Sequence, residues 1–227
     1  MDPDLLVIVP TRARPAAAKE LAATFLETCT ALTRLVFAVD ADDPDIGAYA
    51  RAVYGLPGDV RVTPTPGTMV KALNAAAADL GRTFAVGFMG DDHRPRTVGW
   101  DSRYLEALHD LGTGIVYGDD LLQGERIPTQ VAMTADIPRA LGYMAPPTLT
   151  HLFVDNFWRD LGRNAECLRY LPDVVVEHLH PYAGKAEWDA GYLRVNTSGM
   201  YAKDADAYNA YYLKHYADDV AKVKALR

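Results

Sequence analysis

Cysteine is scarce in this chain: Cys29 and Cys167 are the only two in 227 residues. Each falls in a segment that reads as a helix, and neither has a metal-type partner nearby. Two reduced thiols packed as small hydrophobes are therefore expected. Long apolar runs are missing as well. No stretch approaches the ~18 residues needed to span a membrane, and Met1-Asp2-Pro3-Asp4 is acidic where a secretory signal begins basic. A cytoplasmic protein is expected. Basic excess is absent: 23 Lys and Arg against 30 Asp and Glu leave a net charge of −7, which weighs against a bulk electrostatic binder of nucleic acid. There is no GxxxxGK[ST] phosphate loop. Gly112-Thr113-Gly114 precedes a strand and does not open a helix, so it reads as a turn and not as a dinucleotide fingerprint. No internal repeat, low-complexity tract or clear linker occurs.

What is present is a composition 49% hydrophobic, enough to bury one good core. Short apolar runs alternate with longer amphipathic stretches. Leu5 to Val9 reads as a strand stopped by Pro10, residues 15 to 32 as a helix with Pro15 in its first turn, and Leu35 to Val39 as a second strand. A short helix over 45–54, a strand at Val60-Arg61-Val62, a Thr63-Pro64-Thr65-Pro66-Gly67 turn and a helix over 68–80 capped by Thr68 follow. Phe84 to Met89 is the fourth strand. This βαβαβαβ order, with strands apolar throughout, predicts a mainly parallel α/β sheet covered by helices on both faces. The second half reads as more mixed. Helices are expected over 97–110, 136–143 and 151–162. Strands are expected at Gly114 to Tyr117 and Gln130 to Met133, antiparallel or at an edge, and a further strand starts at Val174. Loop is expected over 181–203, then one tyrosine-rich helix over 204–226 whose face packs on the body or on a second subunit.

In a parallel sheet, ligands bind beyond the carboxyl ends of the strands. Those ends hold Pro10-Thr11-Arg12, Asp40 to Asp43 and Gly90-Asp91-Asp92-His93. Adjacent carboxylates repel, so Asp91-Asp92 after a core strand suggests that a cation is expected there. Carboxylate oxygens beside an imidazole nitrogen suit Mn²⁺ better than Mg²⁺, which prefers oxygens alone. The plainer reading is a solvated turn with an aspartate cap. In Glu177-His178-Leu179-His180, positions two apart share a face of a strand, so both histidines point one way. They are either surface residues or ligands completing the site begun by His93. Asp155 stands at a helix start, where it serves as a cap or as a general base. Lys71 and Asn74 share one helix face, and Arg12 and Arg14 form a pair that is ordinary on a surface.

Taken together these residues resemble a GT-A fold glycosyltransferase of the family-two type, which uses nucleotide-diphosphate sugars. The resemblance covers residues 4 to about 181, and the small size is similar to phage and actinobacterial members. Val7-Ile8-Val9-Pro10-Thr11-Arg12 looks like the strand and loop that cradle the nucleotide, and Val39-Asp40 like the acid that reads the base. Lys71-Ala72-Leu73-Asn74 resembles the segment beneath the donor. Asp91-Asp92-His93 matches the DxD position in a DxH form, so Asp91 and Asp92 are implied donor contacts, and Asp91 and His93 implied metal ligands. His178 or His180 falls at a further ligand position. Asp155 falls at the catalytic base, although the family usually has Glu-Asp where this chain has Val154-Asp155. Lys185 in the late loop is implied to steady the leaving diphosphate.

The resemblance implies one domain over 1–203, with a nucleotide-sugar half (1–95), an acceptor half (96–181) and a late loop (182–203), followed by a C-terminal helix (204–227). It also implies a Mn²⁺-dependent, inverting sugar transfer from a UDP-sugar or related donor to a saccharide, protein, lipid or modified-DNA hydroxyl. The C-terminal helix is a candidate for homo-oligomer contact. Two alternatives stand beside it. A nucleotidylyltransferase needs a glycine-rich loop after the first strand, and Pro10-Thr11-Arg12-Ala13-Arg14-Pro15 has no glycine. A non-catalytic nucleotide-sugar-binding module has no need to keep Asp40, Asp91, His93, Asp155 and His178 together.

Overall fold

The structure is a computed structural model that describes residues 2–63 and 67–227. Pro64-Thr65-Pro66 of the expected turn lies outside the described residues. Four strands, β1 (Leu5–Thr11), β2 (Thr33–Asp40), β3 (Asp59–Thr63) and β4 (Ala85–Phe88), run parallel in the order β3-β2-β1-β4. The helices α1 (Pro15–Thr28), α2 (Ile46–Ala52) and α3 (Met69–Ala76) connect them. Pro15 starts α1, and the Thr68 hydroxyl accepts the Lys71 N–H at the start of α3. Helix α1 ends at Thr28, where Cys29 is extended (φ −75°, ψ 139°); Leu26 lies on its outer face and Leu32 beyond its end, and both are exposed. Neither cysteine lies inside a helix: Cys29 caps α1, and Cys167 precedes a strand.

Beyond β4 come β5 (His93–Pro95), α4 (Trp100–Leu111), β6 (Ile115–Asp119), β7 (Val131–Thr134), α5 (Asp136–Leu141), α6 (Val154–Asn164) and β8 (Leu168–His178). They extend the sheet to eight strands ordered β3-β2-β1-β4-β7-β6-β8-β5. Strand β7 is antiparallel to both neighbours, and β6 is parallel to β8, so neither β6 nor β7 is an edge. Alternation along β1 sends Leu6 and Ile8 into the core under α3, α5 and α6. It sends Leu5, Val7 and Val9 into the core under α1 and α4. Both faces of the sheet are thus covered, and the α/β expectation holds.

The segment after β8 departs from the expected loop. It contains α7 (Ala190–Val195) and the start of α8 (Ser198–Lys214), so the expected boundary at 203/204 falls within a helix. The cause was present in the sequence. Asp189 accepts the Tyr192 N–H and Thr197 accepts the Met200 N–H, two ordinary N-caps. The tail breaks at His215 into α8 and α9 (Tyr216–Lys224). Its tyrosine face packs on the body: Tyr211, Tyr216 and Val223 join the first core, while Leu213 stays 85% exposed.

Candidate active site

The carboxyl ends of β1, β2 and β4 and the segments after β7 and β8 enclose one cavity of about 860 Å³. At the end of β1, the Thr11 hydroxyl donates to Asp91 Oδ2 (2.5 Å). At the end of β2, buried Asp40 accepts the Thr63 hydroxyl (2.8 Å) and lies 3.5 Å from the Arg12 guanidinium, which also pairs with Asp42. Pro10, Thr11, Arg12 and Asp40 all line the cavity.

The turn from β4 to β5 depends on Gly90. A Cβ there would stand 2.4 Å from Asp92 Oδ1 and 3.1 Å from His93 Nδ1, and the Gly90 N–H donates to His93 Nδ1 (3.0 Å). The turn sends the two aspartates in different directions. Asp91 faces Thr11 and the Arg14 guanidinium (3.1 Å). Asp92 faces the histidines: Oδ1 lies 3.3 Å from His93 Nδ1, and Oδ2 lies 3.2 Å from His178 Nε2 and accepts the Tyr192 hydroxyl (2.7 Å). His93 and His178 are opposite each other in the antiparallel β5–β8 pair, which stacks their rings at 4.3 Å and 18°.

This geometry sets the charges. Burial, then the neighbouring Asp92 charge, pushes the Asp91 carboxyl up to about 6 against the pull of Arg14 and Thr11. Burial works against ionisation of Asp92 too, but His178 and His93 hold it well below the usual carboxylate range. Burial opposes the His178 imidazolium, yet Asp92 and Asp120 outweigh it and lift the group to about 9. Burial and the adjacent His178 charge lower His93.

One carboxylate oxygen and two imidazole nitrogens, from Asp92, His93 and His178, lie within 4.8 Å of one another. One further observation fits a cation at this place: His93 Nδ1, already accepting the Gly90 N–H, is pressed against a carboxylate oxygen. The mixed N/O donor set is of the kind Mn²⁺ accepts. Asp91 is not in this set, because both its oxygens are engaged by Thr11 and Arg14. His180 lines the cavity with its ring 5.1 Å from that of His178, but its Nδ1 accepts the Tyr182 N–H, its ring stacks on Tyr182 (5.2 Å), and it is not among the three donors.

Asp155, in the first turn of α6, also lines the cavity. Among the described residues its Oδ1 accepts only the Asn156 N–H (2.9 Å), and burial raises its proton affinity. Three expected donor contacts lie elsewhere. Lys71 and Asn74 border a separate hollow of about 320 Å³ with Tyr143 and Pro147. Asn74 is spent on the Met144–Ala145 backbone, accepting two N–H groups (3.0 and 3.1 Å) and donating to Ala145 O (2.8 Å). Lys185 pairs with Glu177 (2.8 Å), which alternates with His178 along β8 and so points to the other face.

The cavity holds residues that pattern reading passed over. Arg14 bridges Asp91 and Asp189 and lies over the Tyr192 ring (4.2 Å). His151 and Arg194 line the wall, and Arg194 has no ion-pair partner among the described residues. Asp120, at the end of β6, approaches His178. The only signal for it was a second Asp-Asp pair at a strand end, Asp119-Asp120.

No protein-family model matches the sequence, and no curated protein matches it in sequence. Solved structures match in fold. A mannosyltransferase from Pyrobaculum calidifontis, in complex with GDP-Man and Mn²⁺, superposes with a TM-score of 0.63 at 14% identity, covering 100% of this chain and 74% of that one. S. aureus TarS superposes at 0.61 and 14% identity over 94% of this chain and 44% of its own. Glucosyl-3-phosphoglycerate synthase from Mycobacterium tuberculosis, in complex with Mn²⁺ and UDP, superposes at 0.59 and 14% identity over 90% and 80%. No helix among the described residues is long and apolar enough to cross a membrane. The sheet order, the helices on both faces and these superpositions together give this chain the GT-A fold.

Proposed function

We propose that this chain is a metal-dependent glycosyltransferase, moving a sugar from a nucleoside-diphosphate donor to an acceptor hydroxyl with inversion at the anomeric carbon. The observation that carries the reading is one cavity in a GT-A fold joining Asp40, the Asp92–His93–His178 cluster and Asp155. Its volume is in the range of small-molecule sites. The similar structures support the donor class, since they were solved with GDP-Man, UDP or UDP-GlcNAc. A UDP-sugar is the first donor to test.

Asp40 and Arg12 hold the nucleoside, and Thr11 fixes Asp91 toward the ribose or sugar. Asp92, His93 and His178 hold a divalent ion, Mn²⁺ before Mg²⁺ because two of the donors are nitrogen. A cation bound there supplies charge neutralisation for the departing diphosphate. Arg194, a cation without an acidic partner on the cavity wall, takes the leaving-group role first expected of Lys185. Asp155 accepts the acceptor's hydroxyl proton as the new C–O bond forms at the anomeric carbon and the bond to the diphosphate oxygen breaks. Burial raises its basicity, as suits a general base. A thermal-shift screen of UDP-, GDP-, dTDP- and CDP-sugars with and without Mn²⁺ tests the reading. Stabilisation by at least one donor, dependent on the metal, is expected; no shift from any of them would count against it.

A further inference from the structure

Asp120 is 2% exposed and has no lysine or arginine partner among the described residues. Its Oδ1 accepts three successive backbone N–H groups, from Leu122 (3.0 Å), Gln123 (2.6 Å) and Gly124 (2.9 Å). That closes the turn after β6 and accounts for one oxygen. The other oxygen faces the histidine pair. Oδ2 accepts the Thr129 hydroxyl (2.7 Å), and Thr129 Oγ1 in turn lies 3.4 Å from His93 Nε2. The same Oδ2 lies 3.9 Å from His178 Nδ1, and the Asp120 carbonyl accepts the His178 N–H (3.0 Å). One buried carboxylate is therefore linked to one stacked imidazole through a hydroxyl and stands 3.9 Å from the other.

The direction of each proton follows. Thr129 gives its hydroxyl proton to Asp120, so toward His93 it offers only a lone pair. His93 then carries its proton on Nε2, consistent with Nδ1 accepting the Gly90 N–H. His178 Nδ1 lies 3.9 Å from the Asp120 carboxylate, whose charge favours the proton on that nitrogen. His178 as an imidazolium also carries a proton on Nε2, and that is the proton it would give up to a cation, so the nitrogens that can be bared are His93 Nδ1 and His178 Nε2. These are the two that lie 3.3 and 3.2 Å from the oxygens of Asp92.

We propose that Asp120 is a positioning residue for the metal site, fixing the tautomers of His93 and His178 so that both present a bare nitrogen beside Asp92. This rests on the metal reading above. Outer carboxylates that orient ligating histidines commonly change metal affinity 10–100-fold when removed.

The test uses the full chain and Mn²⁺ alone, with affinity read from the electron paramagnetic resonance of free ion. Asp120→Asn keeps an oxygen for the three backbone N–H groups but turns an amide donor toward Thr129 and His178. It is expected to bind Mn²⁺ about 10–100-fold more weakly. Thr129→Val leaves the turn intact and cuts only the link to His93. It is expected to weaken binding several-fold, and to reduce the Nε2–H preference of His93, which the Gly90 N–H continues to favour, in ¹⁵N imidazole spectra of the metal-free protein. If wild type binds Mn²⁺ and both variants bind it equally well with the His93 tautomer unchanged, the positioning role is overturned. If wild type itself binds no Mn²⁺, the metal reading falls first, and an unchanged His93 tautomer in Thr129→Val then removes the Asp120 role as well.

Discussion

At the scale of single residues, the two aspartates of the DxH turn separate by what each side chain faces. Asp92 shares the histidine cluster, and Asp91 is bound by Thr11 and Arg14. Asp92→Asn is therefore expected to abolish Mn²⁺ binding, while Asp91→Asn leaves Mn²⁺ affinity within a few-fold and weakens donor binding; calorimetry with each ligand separates the two. The sequence placed both residues at a strand end but carried no sign of which one turned toward the histidines. That depends on the backbone at Gly90, where a Cβ would crowd the Asp92 carboxylate and the His93 ring. Lys71 and Asn74 illustrate the converse. Their spacing correctly put them on one helix face, but helical period alone does not say which face meets the cavity, and α3 presents Ala72 there instead.

His151 offers a test of the cavity wall by pH. Burial lowers its imidazolium to about 4, against roughly 6.5 in an unfolded chain. Between these values the unfolded state binds more protons, so this group makes the folded state more stable as pH rises from about 4 to 6.5, and the contribution is complete above that window. His151→Gln is expected to flatten that part of the stability–pH curve relative to wild type, measured by urea midpoints at pH 4.5, 5.5 and 6.5. Parallel curves would show that the ring is not buried neutral against the cavity.

At the scale of elements, the C-terminal helices act as a brace. Asp204 of α8 is fully buried and accepts the N–H groups of Thr150 (3.1 Å), His151 (2.8 Å) and Leu152 (2.8 Å), just before Asp155. Replacing it with alanine leaves three N–H groups without an acceptor, at about 1–3 kcal/mol for each that water cannot reach. Asp204→Ala is thus expected to lower the denaturation free energy by roughly 3 kcal/mol or more, with Asp204→Asn milder because one oxygen remains. A change within ~0.5 kcal/mol, the range of ordinary surface substitutions, would contradict the brace. The tyrosine pattern announced a packing face for this tail, yet both the break at His215 and the return of Asp204 to the 150–152 loop are tertiary facts. Local periodicity carries neither.

At the scale of the whole molecule, the parallel half of the sheet could be read directly. Strands β1, β2 and β4 are continuous apolar runs, and each ends in polar residues at the edge where ligands bind. The other half could not, because its strands pair out of chain order: β7 lies between β4 and β6, and β8 joins β6 to β5. That crossing brings His178 opposite His93 from 85 residues away. It explains why the histidines were visible as candidates while Asp120, which approaches them from the turn after β6, was not.

The central claim, sugar transfer with Asp155 as base, is tested most directly by following product release from a donor that binds in the presence of Mn²⁺. The account predicts release of a nucleoside diphosphate and no pyrophosphate. It predicts a rate about 10²–10⁴-fold lower in Asp155→Asn, with donor affinity unchanged. Release of pyrophosphate, or an Asp155→Asn enzyme that turns over at the wild-type rate, would contradict it.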